Sequence, residues 1–322
     1  MHTPRRRLLA ALLTFPLTAR AQAPWAPTRP VRIVVPYPPG GTTDALARPL
    51  AQRLTEVWGV PVAIDNRGGG SGVIGADIVA RAAPDGHTLL MTTQQTQTAN
   101  GLLVRNLPHD VERSFTAITL VADTPSVIVV PVASPARDIA GLVALSRARP
   151  ISYGSTSAGA AAHLMGEMLN RSAGLNAQHV PYRGAAPAVT DLVAGVIDFM
   201  FASYSAVSAL ARDGRLRIIA IGGVSRLPEL PDVPTTAEAG FPGLDAESWF
   251  GMFAPANLPR PVAERINADV RAAYADPAIR GPLEAAGFRI RTMGLDEFAA
   301  YHAAEVRRWF ALVRSTGVRI EE

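Results

Sequence analysis

Short apolar runs rich in β-branched residues recur along the chain, separated by stretches with the three-to-four spacing of amphipathic helices. The pattern predicts strands at Val31–Val35, Val62–Ile64, Thr88–Thr92, Ile118–Val121, Ser126–Val130, Ile151–Tyr153, Gln178–Val180, Asp198–Phe201, Arg217–Ile221 and Trp249–Phe253. Helices are predicted at Thr43–Val57, Gly72–Ala82, Ile139–Ala148, Ala160–Ser172, Pro187–Ala194 and Ser205–Arg212, with a mostly helical tail from Pro261 to Thr316. Strands alternating with helices of this length indicate βαβ units and parallel sheets, hence an α/β fold.

No internal repeat and no low-complexity linker interrupts the pattern, so two α/β lobes would be joined by ordered crossings. The strand-like, proline-edged stretches Asp123–Pro131 and Glu247–Pro255 suit that role. They divide the chain into lobe I, residues 24–123 plus 252–322, and lobe II, residues 124–251. A ligand is expected between the lobes, at the carboxyl ends of the strands.

The N-terminus reads as an address. Arg5, Arg6 and Arg7 precede an apolar run from Leu8 to Leu17, and small residues follow at Ala19, Ala21 and Ala23. That is the order of a secretory signal covering residues 1–23, cleaved near Ala21 or Ala23. Arg5-Arg6-Arg7-Leu8-Leu9 also fits a loose twin-arginine pattern. The expected destination is a bacterial periplasm.

Composition then removes several chemistries. All 31 basic residues are arginine, which excludes lysine Schiff bases and Walker-type phosphate loops. Without cysteine there is no thiol catalysis, no Cys-ligated zinc and no disulfide. The net charge of +4 comes from the four arginines before residue 22; the remainder carries 27 basic and 27 acidic residues. The arginines of the helical tail are interspersed with acids, a solvated face and not a nucleic-acid stripe.

Three strand-to-helix turns are candidates for chemistry. Pro36-Tyr37-Pro38-Pro39-Gly40-Gly41-Thr42-Thr43-Asp44 opens the first helix, where free N–H groups attract an anion; Asp44 is placed to pair with Arg48. Gly70, Gly72 and Gly75 satisfy G-x-G-x-x-G, yet no acid ends the next strand to hold a ribose, so a tight turn is the simpler reading. Tyr153-Gly154-Ser155-Thr156-Ser157-Ala158-Gly159 nearly spells a nucleophile elbow around Ser157, with Ser155 in the place of the first glycine. His163 and Glu167 stand four apart, compatible with a metal but lacking an evident third ligand.

Eight segments in this order resemble the Bug-type periplasmic solute receptors of tripartite tricarboxylate transport systems. They include Val34 through Gly41 with Asp44, Asn66-Arg67 with its glycines, Pro84-Asp85-Gly86, Val180-Pro181-Tyr182-Arg183-Gly184, Leu230 through Thr235 and Trp249 with Gly251. The resemblance implies a two-lobed periplasmic-binding-protein fold of the type II kind. Each lobe is an α/β sheet flanked by helices, and two hinge crossings let the lobes close on a small carboxylate. It implies ligand contacts at Tyr37, Pro38, Gly40, Gly41, Thr42, Thr43, Asp44, Thr92 and Thr93 on one side. On the other side it implies Ser155, Thr156, Gly159, Tyr182, Arg183, Gly184 and Ala185, with Asp198 as a further contact. The chain departs from the family pattern at Gly68, Gly70, Ser71, Ser157 and Ala160; the hydroxyl gained at Ser157 and lost at Ala160 is expected to alter which carboxylate fits. No enzyme activity, cofactor, metal or nucleic acid is expected, and a monomer is the default. The implied partners are a small carboxylated solute and the membrane subunits of a transporter. Two other readings stay open: a secreted serine hydrolase using Ser157, and a receptor presenting its ligand to a membrane sensor.

Overall fold

The computed structural model describes residues 25–316, apart from Val224, Asp245 and Ala246. The chain runs β1 (Val31–Val35), α1 (Thr42–Trp58), β2 (Val62–Asn66), α2 (Val73–Ala80), β3 (Thr88–Thr93), α3 (Gln94–Gln97), α4 (Asn100–Leu103) and β4 (Phe115–Thr124). It continues through β5 (Ser126–Pro131), α5 (Ile139–Ala148), β6 (Ile151–Ser155), α6 (Ala161–Ala173), β7 (Ala177–Pro181), α7 (Ala185–Val193), β8 (Phe199–Ser203), α8 (Tyr204–Arg212) and β9 (Leu216–Gly222). β10 (Ser248–Pro255), α9 (Arg260–Ala275), α10 (Pro277–Ala285), β11 (Arg289–Ile290) and α11 (Leu295–Thr316) complete it.

Two sheets form, in the orders β11-β4-β10-β3-β1-β2 and β7-β6-β8-β5-β9. A common arrangement occurs in both. Four strands run in one direction, and an antiparallel strand is inserted beside the third: β10 between β3 and β4, β5 between β8 and β9; the first sheet adds a second antiparallel strand, β11, at its edge. Each inserted strand is the chain's entry from the other lobe, so two crossings connect the lobes. β4 ends at Thr124 and β5 begins at Ser126, which narrows the first crossing to Pro125. Thr124 and residues 248–251, placed with lobe II by the sequence pattern, pair in the first sheet: Ser248 opposite Thr124, Phe250 opposite Thr93. Continuous ladder pairing carries β10 past the predicted boundary.

Apolar periodicity explains the layers. On α1, Leu46, Leu50, Leu54 and Trp58 fall on one face and pack with α9 against the first sheet. Gly59, at φ 68°, ends this helix in the left-handed conformation that a side chain disfavours. Trp58, Trp249 and Trp309 are buried as expected of core aromatics. The Trp25 ring meets Trp58 edge-on, with centroids 6.0 Å apart. The second sheet packs α5 and α6 on one face and α7 and α8 on the other. Helix α11 serves both lobes. Phe298 belongs to the core beneath the first sheet, whereas Trp309 and Val313 pack with Leu164 and Leu169 of α6 in the second.

Candidate functional site

The turn between β1 and α1 is folded by its own acid. Asp44, 2% exposed, accepts from Gly40 N at 2.9 Å, from Arg48 Nε at 2.7 Å and Nη2 at 3.1 Å, and from Asn66 Nδ2 at 3.0 Å. Burial would raise this carboxyl, but those hydrogen bonds hold it below the ordinary carboxylate range. The acid curls the loop back so that Gly41 caps α1 and the N–H groups of its first turn face outward. Tyr37 extends over this turn with its hydroxyl 2.7 Å from both Thr93 Oγ1 and Thr96 Oγ1.

Lobe II presents two helix starts opposite. Ala160 precedes α6, and Gly184, at φ 122°, precedes α7. Gly184 N donates to Thr156 O at 2.8 Å, tying the two turns together. The lobes touch across the opening, where a β-carbon on Gly184 would stand 3.2 Å from Pro38 Cδ.

Between them lies a cleft lined by Tyr37, Pro38, Gly41, Thr42, Thr43, Thr93, Gln94 and Gln95 from lobe I. Lobe II supplies Thr156, Ala160–Ala162 and Gly184–Pro187. Ser126, Met200–Ser203, Ala206, Ser248 and Phe250 complete the lining. Among the described residues the lining has no Asp, Glu, Arg or His. Its donors are hydroxyls, amides and the first-turn N–H groups of α1, α6 and α7, each at the positive end of a helix dipole.

Of the residues named from sequence, Tyr37, Pro38, Gly41, Thr42, Thr43, Thr93, Thr156, Gly184 and Ala185 line this cleft. Asp44 stands behind it and shapes the turn, and Gly40 lines an adjoining cavity. Thr92 is fully buried in β3, and Ser155 is buried with its hydroxyl donating to Ser157 O at 2.8 Å. Gly159 donates its N–H to His163 Nδ1 at 3.0 Å. Tyr182 and Arg183 line an adjoining cavity with Gly68–Gly72, and the Tyr182 hydroxyl is bound to Asp191 at 2.8 Å. Asp198 lies outside the site altogether. It precedes β8 and binds Arg149 and the N–H of Ser152, at the amino end of the parallel strands, opposite the cleft. The pattern missed Gln94, Gln95, Ser126, Ser203 and Ser248. Ser203 alone carried a local signal, as the residue joining a predicted strand to a predicted helix.

Neither nucleophile nor metal chemistry is assembled here. Ser157 Oγ donates to the amide oxygen of Gln95 at 2.8 Å, with no base in reach. His179 Nε2 does lie 2.6 Å from a serine, but that serine is Ser155, whose proton is already committed to Ser157 O. The ring therefore donates, and it activates nothing. His163 and Glu167 are separately engaged, with Gly159 N and with the Tyr153 hydroxyl at 2.6 Å.

Comparison with known proteins agrees with the fold. Residues 46–318 match the model of the tripartite tricarboxylate transporter family receptor. The periplasmic binding protein BugD superposes with a TM-score of 0.86 at 33% identity, covering 92% of this chain and 100% of that one. A Rhodopseudomonas palustris protein solved with adipate gives a TM-score of 0.86 at 33% identity, over 91% of this chain and 99% of its own. MatC of Rhodopseudomonas palustris, with bound malate, gives 0.82 at 30% identity, over 89% and 99%. These neighbours are solute-binding receptors and not enzymes, and the reading of Ser157 as a nucleophile falls with the geometry around it. With its two crossed sheets and its cleft of helix starts, the chain belongs to the tripartite tricarboxylate transporter receptor family.

Proposed function

We propose that this receptor captures a small carboxylate in the cleft and delivers it to the membrane subunits of a tripartite transporter. One observation carries the reading: three helix starts converge on a cleft whose described lining has no charged side chain. A helix terminus contributes about 0.3–1 kcal/mol to a nearby anion when exposed and up to about 2 kcal/mol when partly buried. Dehydrating a carboxylate costs several kcal/mol, which three such termini at best offset. The hydroxyls of Thr42, Thr43, Thr93 and Thr156 supply the remaining donors. The adipate and malate of the two neighbours support the same ligand class.

Capture would proceed by closure of lobe I onto lobe II about the two crossings, with the second lobe ending before Ser248. The working form is read as a periplasmic monomer, its signal removed near Ala21 or Ala23, segments that lie outside the described residues. Thermal-shift screening of mono-, di- and aromatic carboxylates tests the ligand class through simple linkage. At least one acid is expected to stabilise the protein. Stabilisation by neutral sugars or amines, with none by acids, would refute the reading.

A further inference from the structure

Resting on capture of a carboxylate in this cleft, we infer that His163 and His179 are positioning residues for binding. As neutral rings they hold the turn between β6 and α6 in the form that meets the solute, and a proton on His163 releases it.

The turn reaches the cleft through Thr156 and Ala160, with the first residues of α6 beside them. Its far side rests on the two imidazoles. Gly159, buried and at φ 75°, donates its N–H to His163 Nδ1 at 3.0 Å. His163 is the third residue of α6, so its side chain reaches back over the helix start in the manner of a capping box. His179 Nε2 donates to Ser155 Oγ at 2.6 Å, and Ser155 Oγ donates in turn to Ser157 O at 2.8 Å. The same carbonyl accepts from the N–H of Ala160, the residue before the helix, at 3.2 Å. One ring thus holds the start of the turn and the other its end.

The bonds require an uncharged pair. His163 Nδ1 accepts and so bears no hydrogen, which makes this ring the neutral Nε2–H form. His179 lies parallel to it, 3.7 Å away with 5° between the planes, so charge on either ring opposes charge on the other. A proton added to His163 Nδ1 sets donor against donor and leaves the buried Gly159 N–H unpaired. The turn then opens, and the start of α6 loses its aim at the cleft.

Few other groups act on these rings. Glu167, one turn along α6, favours a cation on His163, although its Oε1 is engaged by the Tyr153 hydroxyl at 2.6 Å. Burial outweighs it and keeps His163 below its ordinary value. From β7 the facing group is His179; from β6 it is the Tyr153 phenol, which burial and Glu167 keep un-ionised. Phe199 of β8 and Trp309 and Val313 of α11 complete this core and do not titrate. The intact turn therefore excludes the proton, whereas a loosened turn admits it near the ordinary 6.5. Solute stabilises the intact turn, so affinity is complete above about pH 6.5 and is lost as pH falls below it.

Calorimetric titration with adipate, malate and benzoate, carried from about pH 7.5 to 5.5 with the tightest binder, tests this. At neutral pH His163→Leu is expected to bind about tenfold more weakly than wild type. His163→Asn, whose Oδ1 can accept from Gly159 N but takes no proton, should recover most of that loss. Any titration of the solute is shared by all variants. The Kd of wild type relative to His163→Asn should therefore rise by about threefold to tenfold across the range. Undiminished binding by His163→Leu, or identical pH slopes in wild type and His163→Asn, overturns the inference and leaves the carboxylate reading standing. If the Asn variant does not fold, histidine ring resonances of wild type decide: saturating solute should lower the His163 pKa, and an unmoved value overturns the inference. Binding by no acid in this set or in a broader carboxylate panel overturns both.

Discussion

Ser157 and Gln95 join the two lobes directly: the serine hydroxyl donates to the Gln95 amide oxygen at 2.8 Å. The Gln95 amide nitrogen returns a hydrogen bond to Ala158 O at 3.0 Å. Both side chains are buried beside the ligand cleft. The pair exists only while the two lobes are in contact here, so removing it tests whether lobe closure contributes to affinity.

Gln95→Ala is expected to weaken ligand binding while leaving the melting temperature of the free protein nearly unchanged. Two net hydrogen bonds at about 1 kcal/mol each correspond to roughly thirtyfold in Kd. Calorimetric titration with the best ligand measures it. An unaltered Kd would show that the bridge makes no contribution to closure.

Asp44→Asn should act on the fold as well as on binding. The amide cannot accept from Arg48, Gly40 and Asn66 together, and the turn that orients the start of α1 loosens. The loss is expected to be about 2 kcal/mol, because Arg48 is itself more than half exposed and screened. Urea unfolding reads the stability term, and titration reads the accompanying rise in Kd.

Gly184→Ala is predicted to separate binding from stability. At φ 122° a β-carbon is strained, and it would stand 3.2 Å from Pro38 Cδ across the opening. The strain is about 1–3 kcal/mol within lobe II. The steric conflict arises only on closure, so affinity should fall by more than stability alone explains. Parallel titration and thermal melts of the variant decide this.

Acid should destabilise the second lobe. The stacked rings of His163 and His179 lie 3.7 Å apart. Burial first, and His163 second, push His179 down to about 3. Burial depresses His163 too, against the pull of Glu167. An unfolded chain takes up a proton on each ring near 6.5, and the folded one does not. Stability is therefore complete above about pH 6.5 and is lost as pH falls from there toward 3. Melting temperatures across that range should decline, and less steeply in His179→Gln. An identical slope in the variant would remove His179 from the account.

The strands were legible because each is a short run dominated by β-branched, aromatic or other apolar residues, and all ten predicted ones occur within a few residues of their expected limits. Helix α5 matches at both ends, since Asp138 caps it by accepting from Gly141 N at 2.7 Å. The two-residue β11 and the one-turn helices α3 and α4 carry no periodicity that a window could detect. In the site, turns at strand ends announced themselves by clustered glycine, serine and threonine. Gln94 and Gln95 did not, because they occupy a polar helical turn fixed only by tertiary packing. Ser126 and Ser248 depended on the register of the two inserted strands. Asp198 was misplaced for a related reason: a polar residue at either end of a parallel strand looks alike in sequence, and only topology tells the ends apart.

Helix α11 bears on how the molecule comes apart. Its Glu305 Oε2 accepts from Trp249 Nε1 of β10 at 2.9 Å and from its own Trp309 Nε1 at 3.1 Å. Phe298 sits in one hydrophobic core and Trp309 in the other. Withdrawing this helix would expose apolar surface on both lobes at once, so neither has a complete interior of its own. Loss of α11 is therefore expected to unfold both lobes in a single transition.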